Sequence, residues 1–202
     1  MSHQDDEHDL KPTFHEGFKL GEKKTAEELA TLDANDESLN KWKASLGLGP
    51  GGSALAAGSG PKVTVLALSL TSPTLPEGKT ISLDVTDAAH IAALKTNPVT
   101  IKEGVEYSVG ITFQVNHSII SGVRYIQVVK RAGIKVDKLE QMLGSYAPSP
   151  DGTPYTKKFQ EEESPSGMLA RSGTYTVKSR VIDDDGEIYA DFEWCFKLAK
   201  EW

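Results

Sequence analysis

The amino-acid sequence predicts an all-β protein, a β-sandwich preceded by a flexible N-terminal arm with two short helices. Three observations lead there. From Val63 onward, apolar and polar residues alternate with a period of two in several separate runs, the mark of strands with one buried face. Asp185-Gly186 supplies a hairpin turn between the last two runs. Ahead of them, the stretch from Gly49 to Pro61 is rich in Gly, Ala and Ser, the composition of a linker.

The alternation is explicit in three runs. Tyr107, Val109, Ile111, Phe113 and Val115 alternate with Ser108, Gly110, Thr112 and Gln114. Tyr175, Val177, Ser179 and Val181 alternate with Thr176, Lys178 and Arg180. Ile188, Ala190, Phe192, Trp194, Phe196 and Leu198 alternate with Tyr189, Asp191, Glu193, Cys195 and Lys197. Further strands are expected at Val63–Leu70, Ile81–Val85, Val123–Val129 and Tyr155–Phe159. Seven or more short strands without intervening helices read as a sandwich.

The arm, residues 1–61, precedes the sandwich, residues 62–202. Residues 1–24 are polar, lack periodicity and read as disordered. Thr25-Ala-Glu-Glu28 fits a capping box, which starts a helix over about 25–33. Asn35 or Asp36 caps a second helix over 36–47, whose Leu39, Trp42 and Leu46 fall on one stripe. Gly47 and Gly49-Pro50 end it. Helices this short are marginal alone. Their apolar stripe needs a cover, either the chain's own sandwich or another protein.

Composition narrows the function. The net charge is −7, and residues 1–60 carry eleven Asp/Glu against six Lys/Arg. Such a chain repels nucleic acid and anionic headgroups. Its acidity either serves solubility or suits a partner with basic surface. The start, Met1-Ser-His-Gln-Asp-Asp-Glu7, reads as neither a signal nor a transit peptide. No apolar run approaches the roughly 20 residues that cross a bilayer. A single cysteine, Cys195, excludes a disulfide framework and a cysteine-rich zinc site, which suits a cytoplasmic protein.

Catalytic motifs are missing from the sequence. It has no Gly-x-Ser-x-Gly, no phosphate-binding loop and no His-Glu-x-x-His. His3, His8 and His15 fall in the polar N-terminal stretch, and His90 and His117 stand alone in expected loops. Cys195 sits opposite Trp194 in a strand and reads as a packing residue. Asp183-Asp184-Asp185 lacks the further ligands of a calcium loop and reads as a solvated turn. No metal, cofactor or enzymatic activity is expected.

Several separate words occur in an order that carries a resemblance. They are Leu32-Asp-Ala-Asn-Asp-Glu-Ser-Leu-Asn-Lys-Trp-Lys43, Lys102-Glu-Gly-Val-Glu-Tyr107 and Ser121-Gly-Val-Arg-Tyr-Ile-Gln127. They continue with Gly144-Ser-Tyr-Ala-Pro148, Gly167-Met-Leu-Ala-Arg171, Tyr175-Thr-Val-Lys-Ser-Arg180 and the Asp183–Asp185 run. From about Phe18 to Trp202 the chain resembles the Rho GDP-dissociation inhibitor family. The resemblance implies an immunoglobulin-like sandwich whose sheets admit a geranylgeranyl chain. It also implies a protein that binds prenylated Rho-family GTPases of the Rho, Rac and Cdc types. Such a protein slows GDP release by clamping the switch regions and draws the GTPase off membranes, which it meets only transiently.

Carried over by position, the prenyl lining is Leu68, Leu70, Val99, Tyr107, Ile119, Tyr125, Val177, Phe192 and Trp194. Relatives often carry tryptophan at the place of Phe192 and some carry phenylalanine at the place of Val99, so this slot is expected to be roomier. Asp36, Ser38, Leu39 and Trp42 are assigned to the GTPase switches. Asp137, Asp184 and Asp185 are assigned to basic residues of the GTPase and its tail. Two other readings stay open: a general prenyl-lipid carrier for other cargo, and a sandwich adaptor without a cavity.

Overall fold

The computed structural model describes residues 7–14, 35–45, 60–149 and 151–202. The expected helix over 25–33 and nearly all of the Gly-rich linker lie outside the described residues. In chain order the elements are α1 (Glu37–Ser45), β1 (Val63–Thr71), β2 (Ile81–Asp84), α2 (Ala88–Leu94) and β3 (Val99–Lys102). Then come β4 (Glu106–Val115), β5 (Ile120–Arg131), β6 (Ile134–Tyr146), β7 (Tyr155–Lys158) and β8 (Glu162–Glu163). The chain finishes with α3 (Met168–Arg171), β9 (Thr174–Ile182) and β10 (Ile188–Ala199).

The strands form two sheets of an immunoglobulin-like sandwich. One sheet runs β2-β1-β4-β7, with β8 also pairing β4, and the other runs β3-β10-β9-β5-β6. β3 and β10 pair in parallel; the remaining pairs are antiparallel. Inward residues of both sheets make one core, including Leu68, Ile111, Phe113, Tyr125, Val177 and Trp194. This is the packing that period-two alternation requires.

Every strand expected from the alternation is present. Three more, β3, β6 and β8, are not predicted by it. β6 is an edge strand whose first residues are exposed, Ile134 and Val136 included, and its alternation stops after Asp137, too short to mark a strand. Two short helices also interrupt the strands. In α2 the Asp87 carboxylate caps the first turn by accepting from the Ala89 amide at 3.0 Å. His90 therefore lies in a helix rather than a loop. Ile188 is 48 % exposed instead of inward, because the register of β10 shifts between Ile188 and Ala190 and turns it to the other face.

Residues 7–14 depart furthest from a disordered reading. A helical turn over residues 7–9 leads into Leu10, which is fully buried on the outer face of the second sheet. It packs there with Ile126, Val128 and Ile182. That cover leaves β5 buried on both faces from Gly122 to Val129. It also explains Arg180, an outward residue of β9 that is only 4 % exposed. Arg180 donates to both oxygens of Glu7 at 3.0 Å and to Asp191.

Candidate functional site

The residues assigned to a lipid lining mostly converge. Leu68, Leu70, Tyr125, Val177, Phe192 and Trp194 are buried within the main core, and Val99 and Tyr107 pack against it half-buried. Ile119 is half-buried in the turn before β5 and stands outside that cluster. The inward positions of β1, β5, β9 and β10 thus meet across the sandwich, where they pack into one cluster.

A chain of hydrogen bonds runs through the lining. The Trp194 indole N–H donates to Ser179 Oγ at 3.1 Å, the Ser179 and Tyr125 hydroxyls lie 2.8 Å apart, and the Tyr125 hydroxyl donates to Gln127 Oε1 at 2.8 Å. With the Ser179 hydroxyl donating to Tyr125, every polar atom along this path is used, as burial demands. Burial pushes the Tyr125 phenol above its ordinary range, so it stays a neutral donor. Ser179 and Gln127 are hydrogen-bond partners of the candidate residues that sequence reasoning misses. Their signal is a polar side chain at an inward position of an apolar strand.

Tyr107 marks one rim of the lining. Its hydroxyl donates to Glu162 Oε2 at 3.4 Å across the β4–β8 pair. Burial, then the charge of Glu162, raises the phenol. Burial and next the charge of Asp137 raise the Glu162 carboxyl above its usual value. Asp137 belongs to β6 of the other sheet and is exposed. Asp137 and Glu162, from different sheets, thus both place negative charge near Tyr107.

The Asp183–Asp185 run divides into three roles. Asp183 is 2 % exposed; it accepts from the Glu187 amide at 2.8 Å and from the Tyr189 hydroxyl at 2.6 Å, holding the turn. Asp184 pairs with Arg124 Nη2 at 3.0 Å. Asp185 is exposed. Gly122 has φ +62, and a Cβ there would lie 1.7 Å from Asp184 Oδ2, so only glycine leaves room for that carboxylate. Arg124 also pairs with Glu140 at 3.0 Å. Sequence reasoning passes over Arg124, because an outward arginine in β5 looks like a solvated one.

In the arm, Asp36 rather than Asn35 caps α1. Its carboxylate accepts from the Ser38 amide at 2.9 Å and from the Leu39 amide at 3.0 Å. Asp36, Ser38 and Leu39 are exposed. Trp42 lies in the same helix, and its side chain is outside the described ones.

Cys195 is 2 % exposed and its thiol is pushed upward by burial, the opposite of an activated nucleophile. Among the described residues, no three His, Cys, Asp or Glu side chains gather as a metal site. No described helix is long and apolar enough to cross a membrane. An immunoglobulin-like sandwich with an aromatic interior, acidic groups near Tyr107 and an acidic turn has the make-up of a regulatory binding protein. A family profile described as "RHO protein GDP dissociation inhibitor" matches residues 2–201. The chain is 43% identical over 194 residues to the Rho GDP-dissociation inhibitor of Schizosaccharomyces pombe, covering 94% of this chain and 90% of that one. It is 42% identical over 186 residues to the Saccharomyces cerevisiae protein of the same name, covering 91% of each. Against Rho GDP-dissociation inhibitor 1 of Bos taurus the identity is 38% over 200 residues, covering 98% of this chain and 90% of the relative. The chain belongs to the Rho GDP-dissociation inhibitor family.

Proposed function

We propose that this protein is a cytoplasmic inhibitor of GDP release from prenylated Rho-family GTPases, built as a two-part binder. The sandwich shelters the geranylgeranyl chain and the arm clamps the switch regions. The observation that carries the reading is convergence: eight of the nine residues assigned to the lining by sequence belong to one apolar cluster between the sheets or pack against it.

The chemistry is binding alone. Burying an isoprenoid chain gains about 0.8 kcal/mol per CH₂, so a geranylgeranyl group gains on the order of 10–15 kcal/mol. A bilayer offers nearly the same gain. Transfer of the lipid is therefore close to neutral, and extraction must draw on contacts with the GTPase itself. Asp36, Ser38, Leu39 and Trp42 supply these at the switches. Asp137, Asp184 and Asp185 meet basic residues of the GTPase and its tail, which steers encounter. Switch loops held in one arrangement cannot open, so GDP leaves slowly. The lipid enters where Tyr107, Glu162 and Asp137 edge the two sheets, and the sheets part to admit it.

Release of prenylated GTPase from liposomes tests the whole reading. The intact protein is expected to solubilise the GTPase and slow its GDP release. Removal of residues 1–60 is expected to restore GDP release while a soluble prenyl cysteine still binds. Slow release that survives the truncation would refute the clamp. For the slot, Trp42→Phe and Trp202→Phe leave Trp194 as the one tryptophan, and prenyl cysteine is expected to change its emission. An unchanged spectrum with an unshifted interior in NMR would remove the lipid site. It would also rule out the general lipid carrier.

A further inference from the structure

The segment 7–14 reaches the acidic turn through a continuous set of contacts. Glu7 is held by Arg180, Asp9 by Lys135 Nζ at 2.7 Å, and Leu10 is the buried plug. The Thr13 amide and hydroxyl donate to the two oxygens of Glu140 at 2.9 and 2.8 Å. The Thr13 carbonyl accepts from Arg124 Nη1 at 2.6 Å, and the Arg124 guanidinium lies 4.9 Å above the Phe14 ring. The other amino group of Arg124 reaches Asp184. Arg124 is thus fixed on one side by the N-terminal segment and on the other by a carboxylate assigned to the GTPase. Lys62 pairs with Glu187 at the far flank of the same turn. Residues 14 and 62 both stand beside the Asp183–Glu187 turn, and the chain between them carries Asp36 and Ser38.

We propose that residues 7–14 are an intramolecular latch on the outer sheet face, and that its closure makes Arg124 the positioning residue for Asp184 toward the GTPase. With the latch closed, Asp184 is seated over Gly122 and the rest of the arm leaves from beside the turn that meets the partner. With it open, Arg124 loses the Thr13 carbonyl and the Phe14 ring, Glu140 loses two donors, and Asp184 loses its fixed aim. This inference rests on the GTPase-binding reading.

The test uses the full chain with Leu10→Asp and, separately, Thr13→Glu, which sets a carboxylate against Glu140. Neither residue belongs to the lipid or GTPase sets. In the free protein, amides of residues 8–14 are expected to exchange at least about tenfold faster in both variants. The Gly122 and Asp184 amide resonances are expected to shift, while stability of the sandwich is kept. Affinity for a prenylated, GDP-bound Rho-family GTPase is expected to fall about five- to tenfold. Asp184→Asn is expected to weaken binding less in the Leu10→Asp background than in the wild type. Wild-type residues 8–14 that exchange like an unfolded chain would overturn the latch. Unmoved Gly122 and Asp184 resonances, full affinity with the latch open, or additive losses would overturn the positioning role. Absence of any binding by the wild type would refute the proposed function, while the exchange and resonance measurements would still decide the latch.

Discussion

The inner face of β5 is covered by strands of the opposite sheet, its outer face by residues 7–14 of the arm. Both covers bury apolar side chains to similar depth. Tyr125 and Val123 inside are as inaccessible as Leu10 and Ile126 outside. The two covers differ in how easily each can be lost. The inner one belongs to a large core and is lost only when the two sheets separate as wholes. The outer one is a single leucine, worth about 2 kcal/mol of burial, plus charge-assisted hydrogen bonds set against the entropy of ordering a short segment. Equal burial therefore does not mean equal permanence, and a regulated contact is built where the balance is small.

Ways to break that comparison run from large to small. Trp194→Ala empties part of the core and removes the donor to Ser179, and is expected to lower stability by about 3–5 kcal/mol in chemical denaturation. An equal loss for Leu10→Ala would erase the distinction between the faces. Ser179→Ala strands the Trp194 N–H and is expected to cost about 1–3 kcal/mol, with a change in near-ultraviolet circular dichroism. Leu10→Ala is expected to cost about 1 kcal/mol or less, since the segment can lift away, and to act chiefly on exchange of residues 8–14. Asp36→Ala removes the cap of α1 and is expected to weaken inhibition of GDP release about fivefold. Asp36→Ser, which can still cap, separates that role from a direct contact.

The latch also has a pH signature. The Arg180 hydrogen bonds and charge hold Glu7 below its usual value, and Lys135 does the same for Asp9, with help from Lys138 and His8. For Glu140, burial pushes upward but the Thr13 and Arg124 hydrogen bonds prevail and leave it lowered. Carboxylates depressed in the folded state add stability above their unfolded values and lose it as pH falls through the folded ones. The latch is expected to stay closed from neutral pH down to about 5 and to open below about pH 4. NMR shifts of residues 8–14 across that range would show it, and a segment already detached at neutral pH would contradict it.

Much of the sandwich was legible because its strands bury one face and expose the other. β1, β4, β9 and, beyond the shift at Ile188, β10 follow their alternation, and the turn at Gly186 falls between the last two. β6 was not legible, since this exposed edge strand alternates only from Ile134 to Asp137. The words that carry the resemblance are largely structural. Glu103 of one pairs with Arg171 of another, and Ser145 of a third accepts from the Gly122 amide. The residues that the resemblance assigns to a lining lie, Ile119 apart, in or against one core cluster, while Ser179 and Gln127 were hidden as polar exceptions within apolar strands. The outer-face cluster depends on contacts between distant parts of the chain, such as Thr13 with Glu140, and no local pattern encodes those.

Gly122 contributes nothing that a partner could touch, yet it decides where a negative charge rests. The hollow left by its missing methyl is the mould into which Asp184 is cast. A scan restricted to partner-facing side chains would pass over this site. Any larger residue there would displace the carboxylate and leave the acidic turn intact in composition but misdirected in space.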